Sequence, residues 1–507
     1  MYESTLLYSI AFGAFFGLLA LRRPVCLLVH AFCPPASRLL LSPFSVVGRY
    51  FSDNLVYPTV IHRRDFVERW SCADSLLLFA YVVATGVCVV IPLSGIDQVV
   101  TRTGTLSIIN LLFCFSGPCL SMLADVLNLS LHSCRRLHAS LGTLAVVLAM
   151  LHAILAGATT GKLNLQMPKD TFALVSILIL CTQFMPLLLR NARYEAALRL
   201  HQTLAFALPY ALWRHIRSGK LFPSLYICIG GALFLTSAII SLGSVLYRNS
   251  AGLSLAQISF VNGTTQIRLR LSRPLKVRAG QYINLWVPSV SLWSFAQVHP
   301  FVIMSWSQKP QEHLDLFIEP RRGFTKDLLT LAEHGPTTSM AWFSGPHGKP
   351  LHISRYENVV MLATESGIAA HLPYLKKLVH HQRSHETPVR RVHLIWQMER
   401  RDGGIAAQKL LTEALAEDKL NGQHNLRISI HITGESIEEV DFGSRATVYQ
   451  GPMPLADILC SERRQRRRGS RTVIAVSMCG SMRDTLVEVM RRNRYRGMDV
   501  RYAEYQP

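Results

Sequence analysis

The chain has 507 residues, half of them hydrophobic, a mean hydropathy of +0.24 and a formal net charge of +21. The eleven cysteines are scattered and contain no CxxC pair, so neither a zinc ribbon nor a disulfide framework is indicated. The basic excess flanks apolar segments and recurs in the run 463–468, which we interpret as a solvated loop. Nucleic acid is therefore not expected as a partner.

Long apolar runs dominate the chain up to about residue 248, and a soluble pattern follows. A bilayer core needs about twenty apolar residues per helical span. The seven candidate segments are 4–21, 74–93, 106–127, 139–158, 171–190, 200–217 and 223–246. The sixth is marginal by hydropathy, because arginines flank its short uncharged centre. A lipid bilayer is thus the first predicted partner.

The distribution of Lys and Arg favours one orientation. If the soluble half is cytosolic, the inside loops carry twelve basic residues and the outside loops six. The first segment has no basic n-region and no clear cleavage site, so we interpret it as a retained span.

Four histidines share one spacing. His138 and His152 lie in the fourth segment, His201 and His215 in the sixth, and each pair is separated by fourteen residues. Fourteen residues advance about 1400° and rise about 21 Å in an α-helix, so both members project from one face at different depths. Two such helices predict two stacked bis-histidine haems. A hydrogen-bonded core histidine is the plainer alternative for any one of them, and zinc would need four ligands at one depth.

The soluble half changes pattern at about residue 350. Short strands at 258–261, 266–271, 282–287 and 314–318 predict an antiparallel β-barrel. Apolar strands at 358–363, 392–397 and 473–477, with a helix at about 369–381, predict an α/β domain with a parallel sheet. The predicted fold is a membrane protein with an all-α transmembrane bundle followed by these two domains.

Several short motifs follow in order: HPFV at 299–302, RRGFT at 321–325, GPHG at 345–348, SGI at 366–368 and CG at 479–480. With the two H-x13-H segments upstream, this order resembles the ferric reductase and NADPH oxidase superfamily, from about residue 105 to the end. Oxidases usually have H-x12-H in the second segment, so the chain most resembles a fungal ferric-chelate reductase.

The resemblance implies two b-type haems, FAD and NADPH as cofactors. It assigns the haem iron ligands to His138, His152, His201 and His215. It places FAD against His299, Pro300, Phe301, Val302, Arg321, Arg322, Gly323 and Thr325. It places NADPH against Gly345, Pro346, Gly348, Ser366, Gly367, Ile368, Arg400, Arg401, Cys479 and Gly480. Arg400 and Arg401 could receive a 2′-phosphate, although ordinary surface charge explains them equally well.

Three residues depart from the family pattern. Val302 replaces the threonine of HPFT, Thr364-Glu365 replaces a Gly-Gly pair, and Ser481 replaces the proline of CGP. Glu365 puts a carboxylate where a pyrophosphate is expected. We therefore expect nucleotide binding that is weaker than in a typical member.

The expected organisation is N-terminal spans with a cytosolic linker (1–105), a haem domain (106–248), an FAD-binding barrel (249–350) and an NADPH-binding α/β domain (351–507). The implied activity is electron transfer from cytosolic NADPH to ferric chelates, or to cupric ion, across a plasma or internal membrane, with an iron permease or oxidase as a further partner. The alternatives are a superoxide-generating oxidase and a haem protein with a degenerate reductase half. No residue is expected to act as an acid, base or nucleophile, because the cofactors carry the chemistry.

Overall fold

A computed structural model provides the structure of the chain. It describes residues 3–32, 51–64, 68–92, 95–160, 164–216, 221–261, 264–291, 299–321, 323–384, 387–400, 402–418, 425–434, 445–467, 469–493, 495 and 497–505. Two compact units share these residues: one comprises 1–47 with 73–243, and the other 48–72 with 244–507.

The first unit is helical. Its helices are α1 Glu3–Phe32, α2 Cys72–Val90, α3 Ile96–Cys114, α4 Leu120–Leu127, α5 Leu131–Thr160, α6 Pro168–Thr182, α7 Met185–Ile216 and α8 Leu221–Asn249. Within the described residues, four stretches are long and apolar enough to cross a membrane: Ser4–Cys26, Cys72–Val90, Leu131–Thr159 and Pro223–Asn249. The prediction of several apolar helices is confirmed.

Two predicted segments have different bounds in the structure. The segment 106–127 is not one helix, because α3 ends at Cys114 and a 3₁₀ turn, Gly117–Cys119, precedes α4. The segment 171–190 is divided between α6 and α7, and α7 begins at Met185, so residues expected in a cytosolic loop are helical. Gly117-Pro118 and Pro186 lie at these boundaries, and proline favours the first turn of a helix over its interior.

Part of the second unit is a six-stranded antiparallel sheet. Its strands are β3 Ser254–Val261, β4 Thr264–Leu275, β5 Tyr282–Trp286, β6 Pro300–Val302, β7 Gln311–Ile318 and β8 Thr337–His347. Their spatial order is β6-β5-β8-β3-β4-β7. An isolated bridge, Ile303–Leu316, joins the two edges. Helix α9, Phe324–Glu333, buries Phe324 and Leu328 in the core of this sheet. The antiparallel sheet is confirmed, whereas full closure as a barrel stays a prediction.

The rest of this unit is a parallel α/β fold. Its strands are β9 Asn358–Thr364, β10 Arg391–Met398, β11 Leu426–Ile432, β12 Ala446–Gln450, β13 Thr472–Ser477 and β14 Met498–Tyr502. Its helices are α10 Ile368–Arg383, α11 Asp402–Glu417, α12 Leu455–Gln465 and α13 Gly480–Asn493. Since α12 runs to Gln465, the predicted loop 463–468 begins as a helix end; residue 468 lies outside the described residues.

Strand β9 is central in this parallel sheet. The spatial order is β12-β11-β10-β9-β13-β14. Val359 and Met361 face a core shared with α10 and α11, while Val360 and Leu362 face a core shared with α12 and α13. Both faces are therefore covered, and the strands read as continuous apolar runs. The chain leaves β9 towards β10 and later returns to β13 on the other side, which creates a switch point at the carboxyl ends of β9 and β13.

Candidate functional site

The four helical histidines meet in two pairs. The ring centres of His138 and His201 are 6.0 Å apart, and those of His152 and His215 are 6.3 Å apart. The earlier histidine of α5 pairs with the earlier one of α7, and the later histidines pair likewise. The two helices therefore run in the same direction. The predicted topology, in which the fourth and sixth segments cross in the same direction, also pairs His138 with His201 and His152 with His215.

The ring separation suits a metal between the rings. Metal–imidazole bonds are about 2.0–2.1 Å long, and an imidazole nitrogen lies about 1.1 Å from its ring centre, so rings on opposite sides of one metal have centres about 6.3 Å apart. Among the described residues, no group of three or more His, Cys, Asp or Glu side chains could hold a metal ion. Two-ligand sites of this kind fit haem iron, whose porphyrin supplies the other four nitrogens.

Hydrogen bonds orient the two rings of the second pair. His152 Nδ1 lies 2.7 Å from the Val100 carbonyl oxygen, and His215 Nδ1 lies 3.0 Å from the Lys169 carbonyl oxygen. A protonated Nδ1 that donates to a carbonyl leaves Nε2 as the lone-pair nitrogen, as in metal-binding histidines. In the first pair, the buried Nδ1 of His138 has no hydrogen-bond partner within the described structure.

Two glycines permit close approach to these rings. A Cβ atom at Gly104 of α3 would lie 2.9 Å from His152 Nδ1, and one at Gly117 would lie 3.4 Å from His138 Cε1. A side chain at position 104 would therefore displace the His152 ring. Neither glycine can be predicted from the sequence, since nothing in the local sequence indicates a contact with a histidine that is remote in the chain.

The proposed flavin motifs lie on adjacent strands. In the β5–β6 register, Tyr282 pairs with Val302 and Ile283 with Phe301. In the β5–β8 register, Tyr282 pairs with His347, so the GPHG motif lies beside the same tyrosine. Gly348 has φ +99° and lies against the Tyr282 ring, where a Cβ atom would approach within 3.0 Å. The structure thus places Gly345 and Pro346 on β8 of the antiparallel sheet, and Gly348 directly after that strand.

The RRGFT stretch begins α9. Gly323 has φ +67° and precedes the helix, and the Arg321 N–H donates to the Thr325 hydroxyl at 2.8 Å. Phe324 stacks on His299, with ring centres 4.3 Å apart. The HPFV and RRGFT motifs therefore meet at the N-terminus of α9. Backbone N–H groups at a helix N-terminus favour an anion such as a diphosphate. Arg322 lies outside the described residues.

The SGI and CG motifs meet at the switch point. A Cβ atom at Gly367 would collide with the Ser477 carbonyl oxygen, so only glycine allows this turn to approach β13. The Cys479 N–H donates to the Thr364 hydroxyl at 2.7 Å, which ties the turn after β13 to the end of β9. Ile368 is buried at the start of α10. In open parallel sheets, ligands bind in the crevice at such a switch point.

Glu365 occupies the position where the family pattern has glycine. Its φ is +44°, a left-handed conformation that favours glycine. Its carboxylate accepts the Glu399 N–H at 2.8 Å, and its carbonyl oxygen accepts the Trp396 indole N–H at 2.9 Å. Burial raises the pKa of the Glu365 carboxyl, and the Glu399 carboxylate raises it further, although the hydrogen bond from the Glu399 N–H opposes this.

The C-terminal tyrosine connects the two domains of the second unit. The Tyr505 hydroxyl lies 3.3 Å from the Phe317 carbonyl oxygen, to which it donates, and it accepts the Glu319 N–H at 3.0 Å. The Ser366 side chain of the SGI turn is near enough to lower the pKa of the Tyr505 hydroxyl. Burial has the larger effect, so the pKa of the Tyr505 hydroxyl is raised overall. Position 505 therefore lies between the end of β7 and the SGI turn.

The two candidate 2′-phosphate arginines follow β10. Arg400 is exposed directly after the strand, and it lies at the same edge of the sheet as the SGI turn because β9 and β10 are parallel neighbours. Arg401 lies outside the described residues.

Comparisons with known proteins agree with these motifs. A family model described as an FAD-binding domain matches residues 250–361, and one described as a ferric reductase NAD binding domain matches residues 356–453. The resemblance to the ferric reductase family is confirmed. The second unit thus matches the models of an FAD-binding domain and of a ferric reductase NAD binding domain, which supports an oxidoreductase.

Fungal ferric reductases are among the similar proteins. The probable cell surface ferric reductase kap2 of Aspergillus oryzae is 30% identical over 26% of this chain and 18% of its own length. The ferric/cupric reductase transmembrane component 2 of Saccharomyces cerevisiae is 27% identical over 37% of this chain and 26% of its own length. The matches therefore span about a fifth to a quarter of these relatives. A ferredoxin NADP+ reductase from Neisseria gonorrhoeae, solved with FAD and NADP, is 17% identical over 50% of this chain and 99% of its own, with a TM-score of 0.35, which is too low for an inference.

Proposed function

We propose that this chain transfers electrons across a membrane, from cytosolic NADPH through FAD and two b-type haems to a ferric chelate, or to cupric ion, on the far side. The observation that carries this proposal is the pair of facing imidazoles at two levels of α5 and α7, in a chain that also carries the flavin and nicotinamide domains of a ferric reductase.

His138 and His201 would hold the haem nearer the reductase, and His152 and His215 the haem nearer the far side. His152 and His215 each lie fourteen residues after the first histidine of the same helix, which is about 21 Å of rise. With two imidazoles as its ligands, each haem would supply a one-electron relay and would not bind the acceptor directly.

The remaining residues of the proposed sites would bind FAD and the nicotinamide nucleotide and hold them in position. The antiparallel sheet, which we propose closes as a barrel, would present Tyr282, Phe301 and Val302 to the flavin, while Arg321 and the N-terminus of α9 would hold its phosphates. The turns at Gly367 and Gly480 would present N–H groups to the nicotinamide nucleotide. When bound, FAD supplies the conversion from hydride transfer to single-electron transfer, and haem iron supplies the one-electron relay.

The proposed orientation places the second unit on the cytosolic side. Described residues between α1 and α2, including Arg63 and Arg69, belong to the same compact unit as the reductase domains. This supports a common side for that loop and the reductase, in agreement with the basic loops. The proposed domain limits are 1–105, 106–248, 249–350 and 351–507, and a plasma-membrane role in iron uptake beside a permease or oxidase is part of the proposal.

One observation favours the alternative of a degenerate reductase half. The Glu365 carboxylate lies at the turn where a diphosphate would bind, and it lies in a backbone conformation that suits glycine. On this alternative the haems are present but NADPH does not reduce them.

Anaerobic addition of NADPH to the purified chain tests the proposal. We expect bleaching of the flavin band, then reduced haem bands, and then reoxidation when ferric citrate is added. If the haem bands form with dithionite but never with NADPH, the degenerate alternative holds. If oxygen reoxidises the haems to give superoxide while ferric citrate does not, the chain is an oxidase.

A further inference from the structure

A short hairpin between α1 and α2 packs on the α/β domain. We call residues 57–64 with 68–71 the strap. Within it, β1 Thr59–Ile61 pairs with β2 Trp70–Ser71, and the Cys72 N–H donates to the Pro58 carbonyl oxygen at 2.9 Å. The Arg69 guanidinium donates to the Tyr57 carbonyl oxygen at 2.8 Å and to the Thr59 hydroxyl at 2.8 Å. These bonds give the strap a defined shape.

The strap is anchored beside the turn after β13. Tyr57 packs against the buried cluster formed by β9, β13, α12 and α13. Arg63 Nε donates to Asp484 Oδ2 of α13 at 2.9 Å, and both side chains are about one-third exposed. These two residues are 421 positions apart, so the contact is part of the tertiary fold of this unit.

Arg63 also covers Gly480. A Cβ atom at position 480 would lie 2.5 Å from Arg63 Cζ and 2.7 Å from its Nε. The guanidinium therefore rests directly on the backbone of the CG turn. Gly480 begins α13 at the switch point, which is the edge of an open parallel sheet where ligands bind. A nucleotide that approached this turn would meet the Arg63 side chain first.

We propose that the strap is a lid on the nicotinamide-nucleotide site, closed by an Arg63–Asp484 latch over Gly480. This inference rests on the proposed function, because it takes the CG turn as part of the nucleotide site. The closed latch competes with nucleotide binding, so the apparent affinity is the intrinsic affinity reduced by the fraction of open molecules.

Calorimetric titration of the full-length chain with NADP+ tests the lid. A partly exposed ion pair contributes about 0.2–1 kcal/mol, so we expect Arg63→Ala and Asp484→Asn each to bind NADP+ about 1.4-fold to fivefold more tightly than wild type. The double variant should bind no more tightly than either single variant, because each change already opens the same latch. Arg64→Ala is the matched control, since it removes an exposed charge from the same strap, and it should bind as wild type does.

Three outcomes overturn the lid. Weaker binding by Arg63→Ala would make Arg63 a ligand of the nucleotide. Unchanged binding in both single variants would show that the Arg63–Asp484 contact does not gate the site, and a lowered thermal midpoint in the same variants would assign that contact a purely structural role. If wild type and every variant fail to bind NADP+, the proposed function fails at the nucleotide site and the lid falls with it. Asp484→Asn keeps the size of the side chain, so the test remains decisive if Arg63→Ala folds poorly.

Discussion

Glu365 puts a carboxylate in the turn that we propose binds the nicotinamide nucleotide. Glu365 follows the end of β9, and its carboxylate is held by the Glu399 N–H. Its pKa is raised by burial and by the Glu399 carboxylate, so it takes up a proton at a higher pH than an ordinary glutamate. A raised pKa in an acid means that the folded protein binds the proton more tightly than the unfolded chain, so this group stabilises the fold less as pH rises through the raised value.

Glu365 should make nucleotide binding depend on pH. The ionised carboxylate repels a diphosphate, and a charge about 4 Å away contributes about 1 kcal/mol in a watery site. We expect Glu365→Gln to bind NADP+ about fivefold more tightly near pH 7.5, and the advantage over wild type should shrink as pH falls and Glu365 becomes protonated. Titrations across pH 5–8 measure this, and the variant controls for titration of the nucleotide phosphate. A constant ratio between the two proteins across this range would contradict the prediction.

Contacts between single residues can be predicted from the sequence only where their spacing determines their geometry. The fourteen-residue interval placed the two histidines of each helix on one face at different depths, because helical periodicity converts sequence distance into depth and direction, and the parallel direction of the two spans then indicated which histidines pair. The contacts of Arg63 with Asp484 and of Gly104 with His152 have no such local signal. They arise from the packing of elements that are remote in the chain, so only the structure shows them.

At the scale of elements, α3 and α7 depart most from the predicted segments. Hydropathy reports the composition of a window, so it extended the third segment through the break before Gly117-Pro118 and missed the polar first half of α7. The strands of the soluble half were easier to predict. Buried parallel strands such as β9 and β13 are short, continuous apolar runs, and their motif turns follow directly.

Packing of α3 on α5 positions the His152 ring. Because a Cβ atom at Gly104 would lie 2.9 Å from His152 Nδ1, we expect Gly104→Val to displace this ring and break its hydrogen bond to Val100. The variant should lose about half of the haem per chain and keep the pair formed by His138 and His201. Haem content relative to protein measures this. Gly157→Val is the matched control, because nothing lies within 4 Å of a Cβ atom there, and it should keep the full haem content. Equal haem in both variants would show that α3 does not position the ligand.

At the scale of the whole molecule, the two compact units carry different parts of the proposed electron-transfer path. The helical unit brings together two imidazole pairs, and the second unit brings together the flavin and nicotinamide motifs. The composition change near residue 248 predicted this division, because lipid-facing helices and water-soluble sheets need different surfaces. The place of residues 57–64 in the second unit could not be predicted, since chain order puts them among the membrane helices.

Haem stoichiometry tests the central claim most directly. We expect the purified wild-type chain to bind two low-spin haems. His138→Ala should lose the haem proposed between His138 and His201, and His152→Ala should lose the other, so each variant should keep one. Alkaline pyridine spectra give the haem content, and the optical spectrum gives the spin state. A colourless wild-type protein, a single haem per wild-type chain, or full haem content in both variants would contradict a two-haem path between α5 and α7.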